Sequence, residues 1–279
     1  MSQYAHPEVL VDTQWLMDHL NDPNTRIVEV DVSPEPYKNA HIPGAVFWNI
    51  FTDILKPNLS INFDPIAIAS LLSRSGISHE TTIIAYGSYP GTGAWIFWLL
   101  QVFGHKNVLV LNGGYEKWVA EARPLATELS QFPPTNYQAK ILDASLRVLR
   151  EEVLASLDSE DCVLLDVRTP QEYTGEMFLM KPPEAGERGG HIPGAVHVEN
   201  TLTLNADGTF KFRDELQTLY SSQGVTSEKE IFPYCAIGGR SGYTWFVLKY
   251  LLGYPKVRNY DGSWNEWSRF PDLPIQTST

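Results

Sequence analysis

The residues best placed to do chemistry lie in Ile231–Trp245, IFPYCAIGGRSGYTW. An apolar run ends at Cys235, and Ala236-Ile237-Gly238-Gly239-Arg240-Ser241 follows as a short loop. Gly242–Leu252 then reads as a largely buried helix ending at Gly253. Strand, tight loop and helix in that order can turn several backbone N–H groups inward, and the helix start adds positive potential. Both favour a thiolate, the form in which cysteine is a nucleophile. A lone cysteine closing an apolar run is more commonly a small buried hydrophobe. Gly238-Gly239, however, lets the backbone curl tightly, and Arg240 supplies a permanent cation. Packing alone needs neither. Pro233 counts against a central strand, because it has no N–H for a ladder.

The elements that must hold this loop are written twice. HIPGAV stands at His41–Val46 and again, identically, at His191–Val196. Asp31-Val32 precedes the first copy and Asp166-Val167 the second. Downstream, Asn112-Gly113-Gly114-Tyr115-Glu116-Lys117-Trp118 corresponds to Asp261-Gly262-Ser263-Trp264-Asn265-Glu266-Trp267. So long a period indicates tandem domains, not a solenoid. Each half alternates short apolar strands with helices. Strands are predicted at Arg26–Asp31, Thr81–Tyr86 and Val108–Leu111, then at Val163–Asp166, Glu230–Tyr234 and Val257–Tyr260. Helices are predicted at Asp12–Leu20, Pro65–Ser73, Gly93–Phe103 and Tyr115–Ala122, then at Arg150–Leu157, Glu215–Ser222, Tyr243–Leu252 and Trp264–Ser268. That order predicts an α/β fold, two tandem domains each with a mostly parallel sheet and helices on both faces. The expected division is 1–126, a linker over 127–144 marked by Pro133-Pro134, and 145–279. The second half carries an insertion within Thr174–Gly190, and long loops in compact domains are often functional.

Only the second half has the nucleophile. Ala85-Tyr86-Gly87 aligns with Pro233-Tyr234-Cys235, so Gly87 stands where the second copy has Cys235. The loop after Gly87, SYPGTGAW, also lacks an arginine. Both HIPGAV copies read as a turn with a structural histidine, since one lies in the half without the cysteine. Asp166, Arg168 and Glu172 read as a structural ion-pair set, with Ser33 at the arginine position of the first half. Trp264 and Trp267 read as packing residues, and Cys162 as structural.

Cys235–Ser241, with the duplicated architecture and an empty first loop, resembles the rhodanese family, the thiosulfate and 3-mercaptopyruvate sulfurtransferases. The resemblance covers nearly the whole chain. It implies a catalytic Cys235 that takes sulfane sulfur from a small-molecule donor as a persulfide. A thiol or cyanide then removes that sulfur, and a protein sulfur acceptor is a further partner. Backbone N–H groups and side chains of Ala236, Ile237, Gly238, Gly239, Arg240 and Ser241 are expected to hold donor and persulfide. Arg188 of the insertion is expected to help attract an anionic donor. The loop matches neither the Cys-Gly-Ser/Ala-Gly-Val-Thr of mercaptopyruvate enzymes nor the Cys-Arg-Lys-Gly-Val-Thr of animal thiosulfate enzymes. It is closer to microbial thiosulfate sulfurtransferases ending in Arg-Ser, so thiosulfate is the expected donor, with 3-mercaptopyruvate or a persulfide carrier role as alternatives. A cysteine phosphatase would have C-x5-R, whereas Arg240 gives the shorter C-x4-R.

Composition narrows the remaining classes. The 279 residues are 43% hydrophobic and 19% charged, with a formal net charge of −12. That balance suits a globular protein and disfavours nucleic acid as partner. No apolar run reaches the roughly 20 residues of a membrane span. The start, MSQYAHPEVLVDTQW, carries no secretory pattern. Cys162 and Cys235 cannot form a disulfide framework, so a cytoplasmic monomer is expected. Neither CxxC nor HExxH occurs, and no metal or cofactor is implied.

Overall fold

The computed structural model describes residues 3–89, 91–140, 143–179 and 181–277. Its first half opens with β1 (Leu10–Val11) and α1 (Thr13–Asp18), where the Asp12 carboxylate accepts from the Trp15 N–H as N-cap. There follow β2 (Thr25–Asp31), α2 (Pro34–Asn39), β3 (Val46–Asn49), α3 (Pro65–Arg74), β4 (Thr82–Tyr86), α4 (Thr92–Val102), β5 (Val108–Leu111) and α5 (Gly114–Ala120). All pairings are parallel, in the order β1-β5-β4-β2-β3. Every residue of β2 is buried, as a strand covered on both faces requires.

The second half repeats this with α6 (Arg150–Ala155), β6 (Cys162–Asp166), α7 (Pro170–Thr174), β7 (Val196–His197), α8 (Arg213–Ser221), β8 (Glu230–Tyr234), α9 (Gly239–Phe246) and α10 (Ser263–Trp267). Its sheet is β7-β6-β8, also parallel. The predicted strand at Val257–Tyr260 is reduced to bridges, Ile231 with Val257 and Arg147 with Asn259. Pro233 is the reason. Its carbonyl accepts from Tyr260, so its missing N–H faces that same segment and the ladder has a gap. The first half has Ala85 there, paired with Val110 in an intact ladder. The helix predicted to begin at Tyr243 instead begins at Gly239 and passes into a π-helical turn at Val247–Leu251.

α4 is apolar on every side and buried along nearly its whole length, because it packs between the two sheets against α9. The approach is close at Gly242, where an added Cβ would stand 2.8 Å from Trp95. Phe97 meets Phe246 edge-on at 5.0 Å. One apolar cluster therefore runs from Val28 and Ile83 through Phe97 to Trp245 and Ile231, and each sheet's outer face has its own smaller cluster. Trp264 and Trp267 are fully buried in the outer cluster of the second half. Beyond the first half, Phe132 lies under the Arg26 guanidinium at 3.3 Å and the Thr135 N–H donates to the Ser73 carbonyl, so this segment is held to the surface.

Each half also sends an arm to the other. Leu55–Ile61 and Leu204–Phe210 are matching turns, each closed by an antiparallel bridge between its ends. Gly208 sits at φ 77°, and its counterpart Leu59 adopts φ 64°, a left-handed value unusual for leucine. The first arm reaches α10, where the Asn265 side-chain amide donates to the Asn58 carbonyl at 3.0 Å. The second reaches the first half, where the Phe210 N–H donates to Asn112 Oδ1 at 2.9 Å.

Candidate active site

Cys235 leaves β8 and is almost wholly buried. Its carbonyl accepts from the Trp264 N–H at 2.9 Å, and that of Ala236 from Asn265 at 2.8 Å. With these oxygens bound to the first turn of α10, the loop can present N–H groups on its other side. The Gly238 N–H donates to Cys235 Sγ at 3.2 Å, and the Ser241 hydroxyl lies 3.6 Å from it. Gly238 needs φ 93° for this, and a Cβ there would meet the Asp261 carbonyl oxygen at 2.6 Å. Gly239, Arg240 and Ser241 form the first turn of α9, whose leading N–H groups have no helical acceptor. The sulfur therefore sits in a cradle of donors beside a positive helix end.

Ser263 completes the cradle and was not singled out in the sequence. Its Oγ accepts from the Cys235 N–H at 3.0 Å, donates to the Tyr260 carbonyl at 2.8 Å and stands 3.9 Å from Sγ. It adopts φ 54°, close to the 57° of Gly114 at the same place in the first half. The signal was in the repeat: a serine occupies a glycine conformation only in the half with the cysteine.

The Arg240 guanidinium, close enough to feel the Cys235 sulfur, is held in place by a carboxylate. Its Nη1 and Nη2 donate to the two oxygens of Glu172 at 2.7 and 2.8 Å. Glu172 is buried in α7, where it also caps the helix by accepting from the Thr169 N–H. Burial alone would raise its carboxyl, but the Arg240 hydrogen bonds and charge hold it below the usual carboxylate range. Glu172 thus ties its own helix to the Cys235 loop, an ion pair the sequence reading placed only with Asp166 and Arg168. Asp166 and Arg168 do form a buried pair at 2.6 Å, and Arg168 also donates to the Gly190 carbonyl. Arg188 donates to the carbonyls of Phe270 and Leu273, both at 2.6 Å, tying the insertion to the C-terminal segment.

The repeated histidines are placed alike. His41 Nδ1 lies 2.6 Å from the Tyr37 carbonyl and His191 Nδ1 2.9 Å from that of Tyr173, each ring stacked on its tyrosine. Burial pushes the Cys162 thiol up to about 11, which makes it a poor nucleophile at neutral pH. At Gly87 a Cβ would lie 2.4 Å from the Val30 carbonyl oxygen, so the first half has no room for the missing cysteine.

The rhodanese-like domain family matches residues 12–121 and 149–270, and the chain belongs to that family as two such domains. It is 45% identical to "Sulfur carrier protein TtuD" of Thermus thermophilus over 278 residues, 98% of either chain. It is 42% identical to a "Putative thiosulfate sulfurtransferase" of Mycolicibacterium smegmatis, over 98% of this chain and 99% of that one. Among solved structures it resembles an anaerobic ergothioneine biosynthesis enzyme from Chlorobium limicola bound to trimethyl histidine. The TM-score is 0.86 at 25% identity, covering 100% of this chain and 72% of that one. A related structure, EanB with a cysteine persulfide and ergothioneine, superposes with a TM-score of 0.85, covering 100% of this chain and 73% of that one. Among the described residues no helix is long and apolar enough to cross a membrane.

Proposed function

We propose that the chain moves sulfane sulfur from thiosulfate to a thiophilic acceptor through a persulfide on Cys235. The observation that carries this reading is the donor cradle around Sγ, with the Gly238 N–H at 3.2 Å and the Ser241 and Ser263 hydroxyls beside it. In the first half-reaction the Cys235 thiolate attacks the outer sulfur of thiosulfate. The donor's S–S bond breaks, a new S–S bond forms at Cys235, and sulfite leaves with the electron pair. In the second, a thiolate or cyanide takes the outer sulfur and Cys235 leaves as thiolate. The N–H groups of Ala236 to Ser241 stabilise the anionic sulfur as an oxyanion hole would.

The ion pair with Glu172 changes the role of Arg240. Its charge is partly offset by Glu172, so it holds the loop in shape while still acting on the Cys235 sulfur. Arg188, with donors engaged elsewhere, adds less. A phosphatase needs its arginine to clasp the phosphoryl oxygens, and Arg240 faces Glu172 instead. The name of the Thermus relative favours one further reading, delivery of the sulfur to a protein acceptor.

Intact-mass measurement before and after thiosulfate tests the proposal. One sulfur atom should be gained by the wild type and by Cys162→Ser, and not by Cys235→Ser. Loading of the Cys235→Ser protein would move the site elsewhere. A wild-type protein loaded by mercaptopyruvate but not by thiosulfate would change the donor.

A further inference from the structure

Asn259 is a buried polar residue that the first half does without. By the repeat it corresponds to Val110, since Val257–Tyr260 matches Val108–Leu111. The two backbones are held alike. Val110 pairs with Leu10 of β1, while the Asn259 N–H donates to the Leu146 carbonyl and its own carbonyl accepts from Val148, both at 3.0 Å. The Leu146 carbonyl also accepts from Trp98 Nε1 at 3.2 Å, so α4 of the first half steadies the segment on which Asn259 rests. An apolar side chain suffices for this backbone, as Val110 shows. Asn259 is fully buried, and among the described residues its Oδ1 meets no donor. A buried acceptor without a donor lowers stability, so packing does not account for the amide.

What the amide does is hold the Gly238 carbonyl. Nδ2 donates to that oxygen at 3.3 Å, and the Gly242 N–H donates to it at 3.0 Å as the first bond of α9. One donor leaves a carbonyl free to swing, and two fix its direction. Nδ2 can reach because the helix is bare there: a Cβ on Gly242 would stand 3.3 Å from it. Because the peptide is planar and trans, turning the carbonyl toward Asn259 turns the Gly239 N–H away from it. The N–H of Gly238 itself donates to Cys235 Sγ at 3.2 Å. Consecutive hydrogen bonds thus join Trp98, Leu146, Asn259, Gly238 and Cys235, from a helix of one half to the sulfur of the other. In the first half Gly91 caps α4 at φ 87° and its carbonyl accepts from the Trp95 N–H, but Val110 has no second donor to offer. The second donor occurs only in the half with the cysteine.

We propose that Asn259 is a positioning residue for sulfur transfer at Cys235: it makes Gly238 rigid, so that the Gly238 N–H meets the anionic sulfur of both half-reactions at a fixed distance. The inference rests on the sulfur-transfer reading above. Asn259 acts through Gly238 and not on the donor, so its effect falls on the rate of the chemical steps and not on the affinity for thiosulfate.

The test uses the full chain and its Asn259→Leu variant, which keeps the shape of the side chain and removes both polar atoms. Rapid-quench intact mass follows sulfur uptake from thiosulfate and its release to cyanide. Both rate constants should fall at least about ten-fold, because small misplacements at a reacting centre are costly. The thiosulfate concentration at half-maximal rate should move by less than about two-fold. A merely structural role would instead lower the fraction of chains that load and leave the rate of the rest unchanged. Hydrogen exchange at the Gly238 amide, read by NMR on glycine-labelled protein, should quicken at least about ten-fold in the variant. Wild-type rates in the variant, or unchanged exchange at Gly238, overturn the proposal. If thiosulfate never loads the wild type yet Gly238 exchange quickens in the variant, the positioning role stands and the sulfur-transfer reading falls. Should Asn259→Leu fold poorly, Asn259→Val, with the residue the first half uses, carries the same comparison.

Discussion

Ser263 accepts a strained backbone angle in order to place one oxygen. A left-handed residue other than glycine costs about 1–2 kcal/mol, and its counterpart Gly114 avoids that cost. What the serine gains is the Cys235 N–H at 3.0 Å, which fixes the point where the chain turns from β8 into the loop. Ser263→Gly should therefore lose about 1 kcal/mol of hydrogen bond and regain a similar amount of strain. The expected outcome is a nearly unchanged melting temperature with persulfide formation at least about ten-fold slower, since small misplacements at a reacting centre are costly. A variant that loads at the wild-type rate would make Ser263 a packing residue.

Glu29 makes a prediction about pH. It is buried in β2, accepts from the Tyr86 hydroxyl, and burial, opposed by that bond and aided by Asp31, raises its carboxyl to about 7. Its folded value lies above its unfolded one, so the folded state binds the extra proton between about 4.5 and 7. Stability from this group is complete below that window and is lost as the pH rises through it. Glu29→Gln should gain about 2–3 kcal/mol over wild type at pH 8 and nothing at pH 4. Parallel melting curves of the two proteins across that range would dispose of the idea.

At the level of elements, the Gly87 loop shows how the first half has closed. A Cβ at Gly87 would strike the Val30 carbonyl, and one at Gly91 would lie 2.2 Å from the Tyr243 ring. Gly87→Cys should therefore lower stability by about 1–3 kcal/mol through overpacking. Combined with Cys235→Ser, it should show no thiosulfate turnover. Recovery of substantial activity would mean that the first loop is still competent. Much of this was legible in advance. Short runs rich in β-branched and aliphatic residues gave β2, β4, β5 and β8 nearly to the residue, because a strand buried on both faces has few compatible compositions. The helix α2, the two-residue strands β1 and β7, and both arms were not. Leu10–Val11 and Val196–His197 are too short for any period, and the arms gain meaning only from what they touch across the molecule. The Arg240–Glu172 pair spans |i−j| = 68, a separation at which neither residue announces its partner. Pro233 was legible as an objection, and its effect emerged on the neighbouring segment instead of its own strand.

For the whole molecule, the decisive fact is that the largest apolar cluster belongs to neither half alone. Separating the halves would expose the inner faces of α4 and α9, including Trp95, Trp98 and Trp245, all nearly or fully buried. Burial of aromatic side chains is worth about 1.5–3 kcal/mol each, so the two units should not unfold independently. Urea denaturation followed by tryptophan fluorescence and by circular dichroism should give one coincident transition. Residues 145–279 expressed alone should be aggregated or molten. Two resolved transitions, or a well-folded isolated second half, would contradict a shared core.

The packing of Gly91 against Tyr243 has a consequence for descent. A duplicated domain that loses its nucleophile is ordinarily free to drift, shrink or disappear. Here the half without the cysteine supplies the surface on which the other half's helix rests, and Tyr243 lies three residues beyond Arg240 in that helix. Any constraint on the Cys235 loop is thereby transmitted to glycines in the half without a cysteine there. The first half should tolerate change on its outer surface while staying fixed where it faces its twin, so that a chain with one cysteine loop still cannot discard the domain that lacks it.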